Sequence, residues 1–150
     1  MEFNILDSST KVDVFKYVKD YTEKNPESQI MIGCDSQNRK DHTIYGLVLV
    51  LYRSGRGGHV LYRRTNVPRI RDRWMRLWRE VELSVELANL LSARGIPKAK
   101  WIDIDLNPDP RFKSNDVIRA AVGLVESMGY RARTKPHSVV ASYCADKICK

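Results

Sequence analysis

Hydrophobic residues recur along the chain at two spacings, helical and extended, and the two alternate in a definite order. From Thr10 to Lys24, Val12, Phe15, Val18 and Tyr21 or Tyr17 fall three and four apart, which predicts a helix capped by Ser8 or Ser9 and ended by Asn25-Pro26. QIMIGCDS, from Gln29, is a short apolar run closed by polar residues, as in a strand buried on both faces. Residues 43–52 predict a second strand, in which Gly46 marks a bulge or a close approach. Gly55-Arg56-Gly57-Gly58 reads as a hairpin turn into a third strand over residues 59–65. Pro68 breaks the pattern, and a long helix follows over residues 70–94. Trp74, Leu77, Trp78, Val81, Val85 and Ala88 share one arc of it, so both tryptophans are expected in the core. A fourth strand, KWIDIDL, opens at Lys100, and Ser114 caps a helix over residues 115–128. A short fifth strand covers residues 130–134, and a last helix starts near Ser138 with Val139, Val140, Tyr143 and Ile148 as its apolar side.

This order predicts one α/β domain over residues 1–150. The short connections make the first three strands antiparallel, and helical crossovers make the later ones parallel. The expected architecture is a five-stranded mixed sheet with helices on both faces and an extra N-terminal helix. A hydrophobic share of 43% with 29% charged residues excludes a disordered chain, and no apolar run is long enough to span a bilayer. The first residues carry acids where a secretory signal carries positive charge, so the cytoplasm is the expected location. Cys34, Cys144 and Cys149 form no CxxC pair and are expected to be reduced and buried.

Charge changes the picture. The formal net charge is +8, and all of that excess lies between Arg53 and Arg79, where nine arginines face a single acid, Asp72. The planar guanidinium fork suits bidentate recognition of phosphate, so nucleic acid is the expected partner, although a solvated basic face would have the same composition. Arg56, Arg69, Arg71, Arg73 and Arg76 are the candidate contacts, as a positive rail flanking the site.

The acids are distributed differently. In a sheet of this kind the ligand crevice lies beyond the carboxyl ends of the parallel strands. Asp35 ends the first strand, and Asp103 and Asp105 lie two apart on the fourth, on one face of it. An acid inside an apolar strand is costly unless it is salt-bridged or bound to metal, and the sequence leaves both options open. Glu80 and Glu82 flank the apolar arc of the long helix on opposite sides, and Asp146 is the sole acid of the last helix. Gathered together these carboxylates repel, and a hard dication, Mg²⁺ or Mn²⁺, is the usual neutraliser. Two such ions about 4 Å apart clamp a phosphodiester.

With its strand order and the segments IGCDSQ (32–37), EVELS (80–84), WIDIDLN (101–107) and KPHSVVASYCADK (135–147), the chain resembles the ribonuclease H-like superfamily. More narrowly, it is similar to the YkuK family of ribonuclease H-like proteins. The resemblance implies a catalytic and metal-binding set of Asp35, Glu82 with Glu80 as fallback, Asp105 or Asp103, and Asp146. It further implies that Asp35 bridges two metal ions, that Ser36 and Gln37 hydrogen-bond the substrate backbone, and that His137 assists product release. The expected activity is metal-dependent hydrolysis of phosphodiester bonds in RNA, RNA–DNA hybrid or structured DNA. The alternatives are a non-catalytic nucleic-acid-binding module on the same fold and an actin-like nucleotide-binding domain, which needs a second lobe.

Overall fold

The computed structural model describes residues 1–107, 109, 111 and 115–150, with residues 141–143 in backbone only, and its centre is the expected meander of long strands. β1 (Glu2–Ile5) and β2 (Lys11–Asp13) precede α1 (Val14–Lys24). The meander follows as β3 (Gln29–Asn38), β4 (His42–Arg53) and β5 (Gly57–Pro68). Then come α2 (Arg73–Ser92), β6 (Trp101–Ile104), α3 (Asn115–Ser127) and β7 (Ala132–Arg133). A π-helical segment, Val140–Ala145, runs directly into α4 (Asp146–Cys149), and the two form one C-terminal helix.

The mixed α/β architecture is as expected, but the sheet has seven strands rather than five, in the order β2-β1-β5-β4-β3-β6-β7. Nor does the chain open with a helix. Residues 2–5 and 11–13 pair antiparallel with each other, and β1 adds to the edge of β5 (Asn4 opposite Tyr62). Thr10–Asp13 therefore stays outside the helix, which starts only where Asp13, rather than Ser8 or Ser9, accepts from the Lys16 amide at 3.1 Å. Pairing with an existing sheet edge overrides the helical spacing of so short a segment. Ser114 lies outside the described residues, as does the side chain of Tyr143.

Alternation along the strands divides the core into two. Ile30, Ile32 and Cys34 of β3, with Leu49 and Leu51 of β4, pack in the larger cluster that also holds buried residues of α1, α2 and α3. Met31 and Val48 face the other way, toward Val140 and Ala145 of the C-terminal helix. Helices thus cover both faces, as expected. Among the described residues no helix is long and apolar enough to cross a membrane.

Two features position the site. First, β6 runs parallel to β3 only from Met31 opposite Trp101 to Cys34 opposite Ile104, whereas β3 continues to Asn38. Among the described residues the end of β3 therefore projects past its pairing with β6. Second, Gly46 lies beside Asp35 in the β3–β4 register and lets the C-terminal helix sit against the sheet. A Cβ there would stand 3.0 Å from the Cys149 Sγ and 3.1 Å from both the Ala145 carbonyl oxygen and the Ile148 Cβ. Gly46→Ala is expected to cost about 1–3 kcal/mol by overpacking, measured by urea unfolding. Unchanged stability would mean that the helix does not sit this close.

Candidate active site at the carboxyl end of strand β3

The pleat of β3 sends Asp35 and Ser36 to opposite faces of the sheet. Ser36 turns toward α2, where its hydroxyl donates to the Glu80 Oε1. Arg76, one helical turn earlier, donates from Nη1 to the Ser36 carbonyl oxygen at 2.9 Å and stands 3.9 Å from the Glu80 carboxylate. Asp35 belongs to the face covered by the C-terminal helix, and the Cys149 thiol donates to its carbonyl oxygen at 3.1 Å. Asp35 also receives the Ser36 backbone N–H on its own Oδ1 at 2.8 Å.

The carboxylates here feel one another. Burial pushes the Asp35 carboxyl up to about 6, with Asp105 and Asp146 adding to the rise while the Ser36 N–H and Arg76 oppose it. Glu80 is held well above the usual carboxylate range, first by burial and then by Asp35 and Asp105, against the pull of the Ser36 hydroxyl and Arg76. Asp35 thus feels Asp105 and Asp146, and Glu80 feels Asp35 and Asp105, which links four acids from four segments. Asp35 is the first residue of β3 past its pairing with β6, while β4 still pairs with it at Gly46.

Three of these acids, Glu80, Asp105 and Asp146, also have a cation beside them. Lys135 Nζ is 3.2 Å from the Asp105 carboxylate, Lys150 Nζ is 2.6 Å from that of Asp146, and Arg76 attends Glu80. In this arrangement no three His, Cys, Asp or Glu side chains among the described residues are grouped as a ready-made metal site.

Two expected site acids are placed elsewhere. Glu82 accepts from the Trp78 indole N–H at 3.1 Å and from Arg79 at 3.1 Å, and its side chain is 39% exposed on the helix surface. Two residues along a helix is a rotation of about 200°, so only one of Glu80 and Glu82 can face the strand end, and it is Glu80. Asp103 is a fully buried structural anion. It takes Arg133 Nε and Nη2 at 2.7 and 3.0 Å and the backbone N–H groups of Val139 and Val140 at 2.8 and 2.6 Å. It faces the first turn of the C-terminal helix and locks it to β6, leaving Asp105, just past the end of β6, as the acid that Asp35 and Glu80 feel.

The arginine segment does not form one rail. Antiparallel pairing runs β4 from His42 opposite Pro68 to Arg53 opposite Gly57, so the hairpin tip with Arg56 lies at the far end of the sheet. Seven residues separate Gly46, beside Asp35, from Arg53, or about 23 Å at 3.3 Å per residue. Arg53 is paired with Glu27 there, and Arg79 with Glu82 and Glu86. Arg69, Arg71, Arg73 and Arg76 do gather at the Asp35 end, because the start of α2 is tied to the tip of β3 where Asn38 donates to the Ile70 carbonyl oxygen at 3.0 Å. Arg69 donates to the Lys40 carbonyl oxygen at 3.0 Å.

Gln37 ends with its Oε1 buried and without a hydrogen-bond partner among the described residues. His137 is exposed on the turn before the C-terminal helix. Sequence reasoning missed Lys135 and Lys150 as counter-ions; their signal was weak, a lysine before proline and a lysine four residues after Asp146. It also misplaced Trp74, which is 46% exposed rather than in the core. The cysteines are free thiols, with Cys34 and Cys149 buried and Cys144 half-buried. Burial pushes the Cys149 thiol up to about 12, so it is no nucleophile near neutral pH.

A family model described as ribonuclease H-like matches residues 13–150. A relative, the "Uncharacterized protein YkuK" of Bacillus subtilis (strain 168), is 27% identical over 154 aligned residues, covering 92% of this chain and 90% of that protein. No solved structure matches.

Proposed function

Because the chain belongs to the ribonuclease H-like family, we propose that it is a metal-dependent nuclease that hydrolyses phosphodiester bonds in RNA, RNA–DNA hybrid or structured DNA. The convergence of Asp35, Glu80, Asp105 and Asp146 at the projecting end of β3 carries this reading. The donor set fits Mg²⁺ or Mn²⁺: hard oxygens only, two of them raised by burial and mutual repulsion, which a dication relieves. Asp35, Glu80, Asp105 and Asp146 would hold the metal, which when bound supplies an activated water and stabilises the leaving oxygen. Ser36 orients Glu80, and Arg76 holds Ser36. Arg69, Arg71 and Arg73 grip backbone phosphates beside the acids. Lys135 and Lys150 balance the Asp105 and Asp146 carboxylates, a role that a bound metal would share.

The expected result is Mn²⁺- or Mg²⁺-dependent cutting of a labelled substrate, lost in Asp35→Asn and in Glu80→Gln and retained in Glu82→Gln. Cleavage that survives Asp35→Asn, or no cleavage of single, double, hybrid or branched substrates by protein shown to bind metal, would defeat the proposal.

The close cations favour a second reading, a nucleic-acid-binding module in which Arg76, Lys135 and Lys150 permanently take the place of metal. On that reading isothermal titration detects no Mn²⁺ binding, while salt-sensitive nucleic-acid binding persists in Asp35→Asn.

A further inference from the structure

At the start of α2 the two indoles of Trp74 and Trp78 lie in parallel, with ring centroids 5.2 Å apart and planes 13° from each other. They are one turn apart, so the helix itself presents both on one side. Trp78 is partly buried against the core and its ring is fixed by the N–H bond to Glu82, which Arg79 holds in turn. Trp74 rests on that fixed ring and is 46% exposed. A large rigid aromatic surface ordered in advance, with few rotamers to lose on binding, is what a stacking ligand needs.

The surroundings state the charge of that ligand. Arg69, Arg71 and Arg73 precede Trp74 by five residues or fewer, and Arg71 and Arg73 are exposed with no hydrogen bond or ion pair among the described residues. Asp72, the acid between Arg71 and Arg73, is used as the helix cap, accepting from the Met75 amide at 2.7 Å. An anion that also offers a flat ring is a nucleotide, and its base must be unpaired to expose a face. Trp74 lies six residues before Glu80 on the same helix, about 9 Å along its axis, so a base stacked here belongs to the strand that reaches the acids.

We propose that Trp74, stacked on Trp78 and flanked by Arg71 and Arg73, is a base-stacking platform that selects a strand with unpaired bases as the substrate. The statement that this strand is cut rests on the nuclease reading; binding to it does not. The test therefore uses the full chain in EDTA, where no cutting occurs, with a labelled single strand of about 12 nucleotides, within the usual single-strand site size. Tighter binding to the single strand than to a blunt duplex of equal length is expected, with quenching of tryptophan emission. Trp74→Ala should weaken single-strand binding roughly 5- to 150-fold, the range of one base–aromatic stack, and leave duplex binding unchanged. Trp74→Phe should restore most of the loss. Arg71→Gln with Arg73→Gln should weaken both forms and reduce the salt dependence.

Equal single-strand binding by wild type and Trp74→Ala would overturn the platform. So would equal affinity for single strand and duplex without quenching, or a Trp74-dependent self-association seen by sedimentation with no response to the oligonucleotide. Because binding is read without metal, failure here leaves the nuclease reading intact. Loss of catalysis alone would likewise leave the platform standing.

Discussion

Asp103→Ala should destabilise the protein by about 3–5 kcal/mol, more than removal of any carboxylate of the proposed active site. The reason is what the substitution leaves behind. Arg133, only 17% exposed, loses both bonds to the carboxylate and remains as a charge held over the Trp101 ring, and the Val139 and Val140 N–H groups lose their acceptor at a helix start. A buried cation without its partner and unsatisfied amides each carry a desolvation cost that water cannot offset. For a chain of this size the melting temperature should fall by roughly 10 °C or more. Hydrogen exchange should quicken first in residues 140–149, which Asp103 ties to β6. Asp105→Ala, at a side chain 15% exposed whose Lys135 partner is 46% exposed, should cost clearly less than Asp103→Ala. The reverse ranking would refute the division of these two acids into an anchor and a site residue.

The second large effect has the opposite sign. Asp35→Asn should stabilise the metal-free protein at neutral pH while it removes the proposed catalytic carboxylate. In the folded chain the Asp35 carboxyl sits at about 6 against an ordinary value of 3.8. The folded state therefore holds this proton more tightly than the unfolded state. Its favourable contribution is complete below about pH 4 and is lost as pH rises through about 6. Glu80 acts in the same direction, whereas Asp13, Glu27, Asp41 and Asp109, with lowered values, lose their contribution only in acid. Ionised Asp35 costs at most about 3 kcal/mol at pH 7. Urea unfolding in EDTA should show stability falling from pH 4.5 to pH 7 in the wild type, a slope that Asp35→Asn flattens. The amide oxygen can still accept the Ser36 N–H, so the gain comes from removing charge rather than from repacking. A wild-type profile that rises over this interval would contradict the electrostatic description of the site. Mn²⁺ added to the wild type should reverse the slope, because it binds the ionised form, and should raise stability by about 2.7 kcal/mol at a hundred times its dissociation constant.

The two effects express one trade-off. A protein that keeps several acids together at a strand end forgoes stability there, as sites built for charged chemistry commonly do. Asp103 shows the contrasting use of an acid, neutralised and fully bonded, as a fastening for the helix that carries Asp146.

Much of this was legible in the chain. Apolar runs at Gln29 and over residues 43–52, the alternation of WIDID, and the three- and four-residue spacing in α2 specify elements long enough that local preference and burial agree. The hairpin glycines specify the meander, with Gly55 at φ 69° and Gly57 at φ 77°, a backbone region in which a side chain is strained. The composition of the site was legible as well, in acids at the ends of apolar strands, since such residues are rarely left without a partner.

Choices among equivalents were not. Glu80 and Glu82, or Asp103 and Asp105, are interchangeable in composition and differ only in which way a side chain points once α2 is laid across β3 and β6. That angle is set by packing, which no local spacing encodes. The short strands β1 and β2 exist because β5 has an edge for them to join. The single basic segment divides because twelve-residue strands carry Arg56 to one end of the sheet and Arg69, Arg71 and Arg73 to the other. The order of residues in the chain dictates the elements and the kinds of chemistry available. Which acids meet, which one is buried in an ion pair, and which tryptophan stays in water follow from long-range packing.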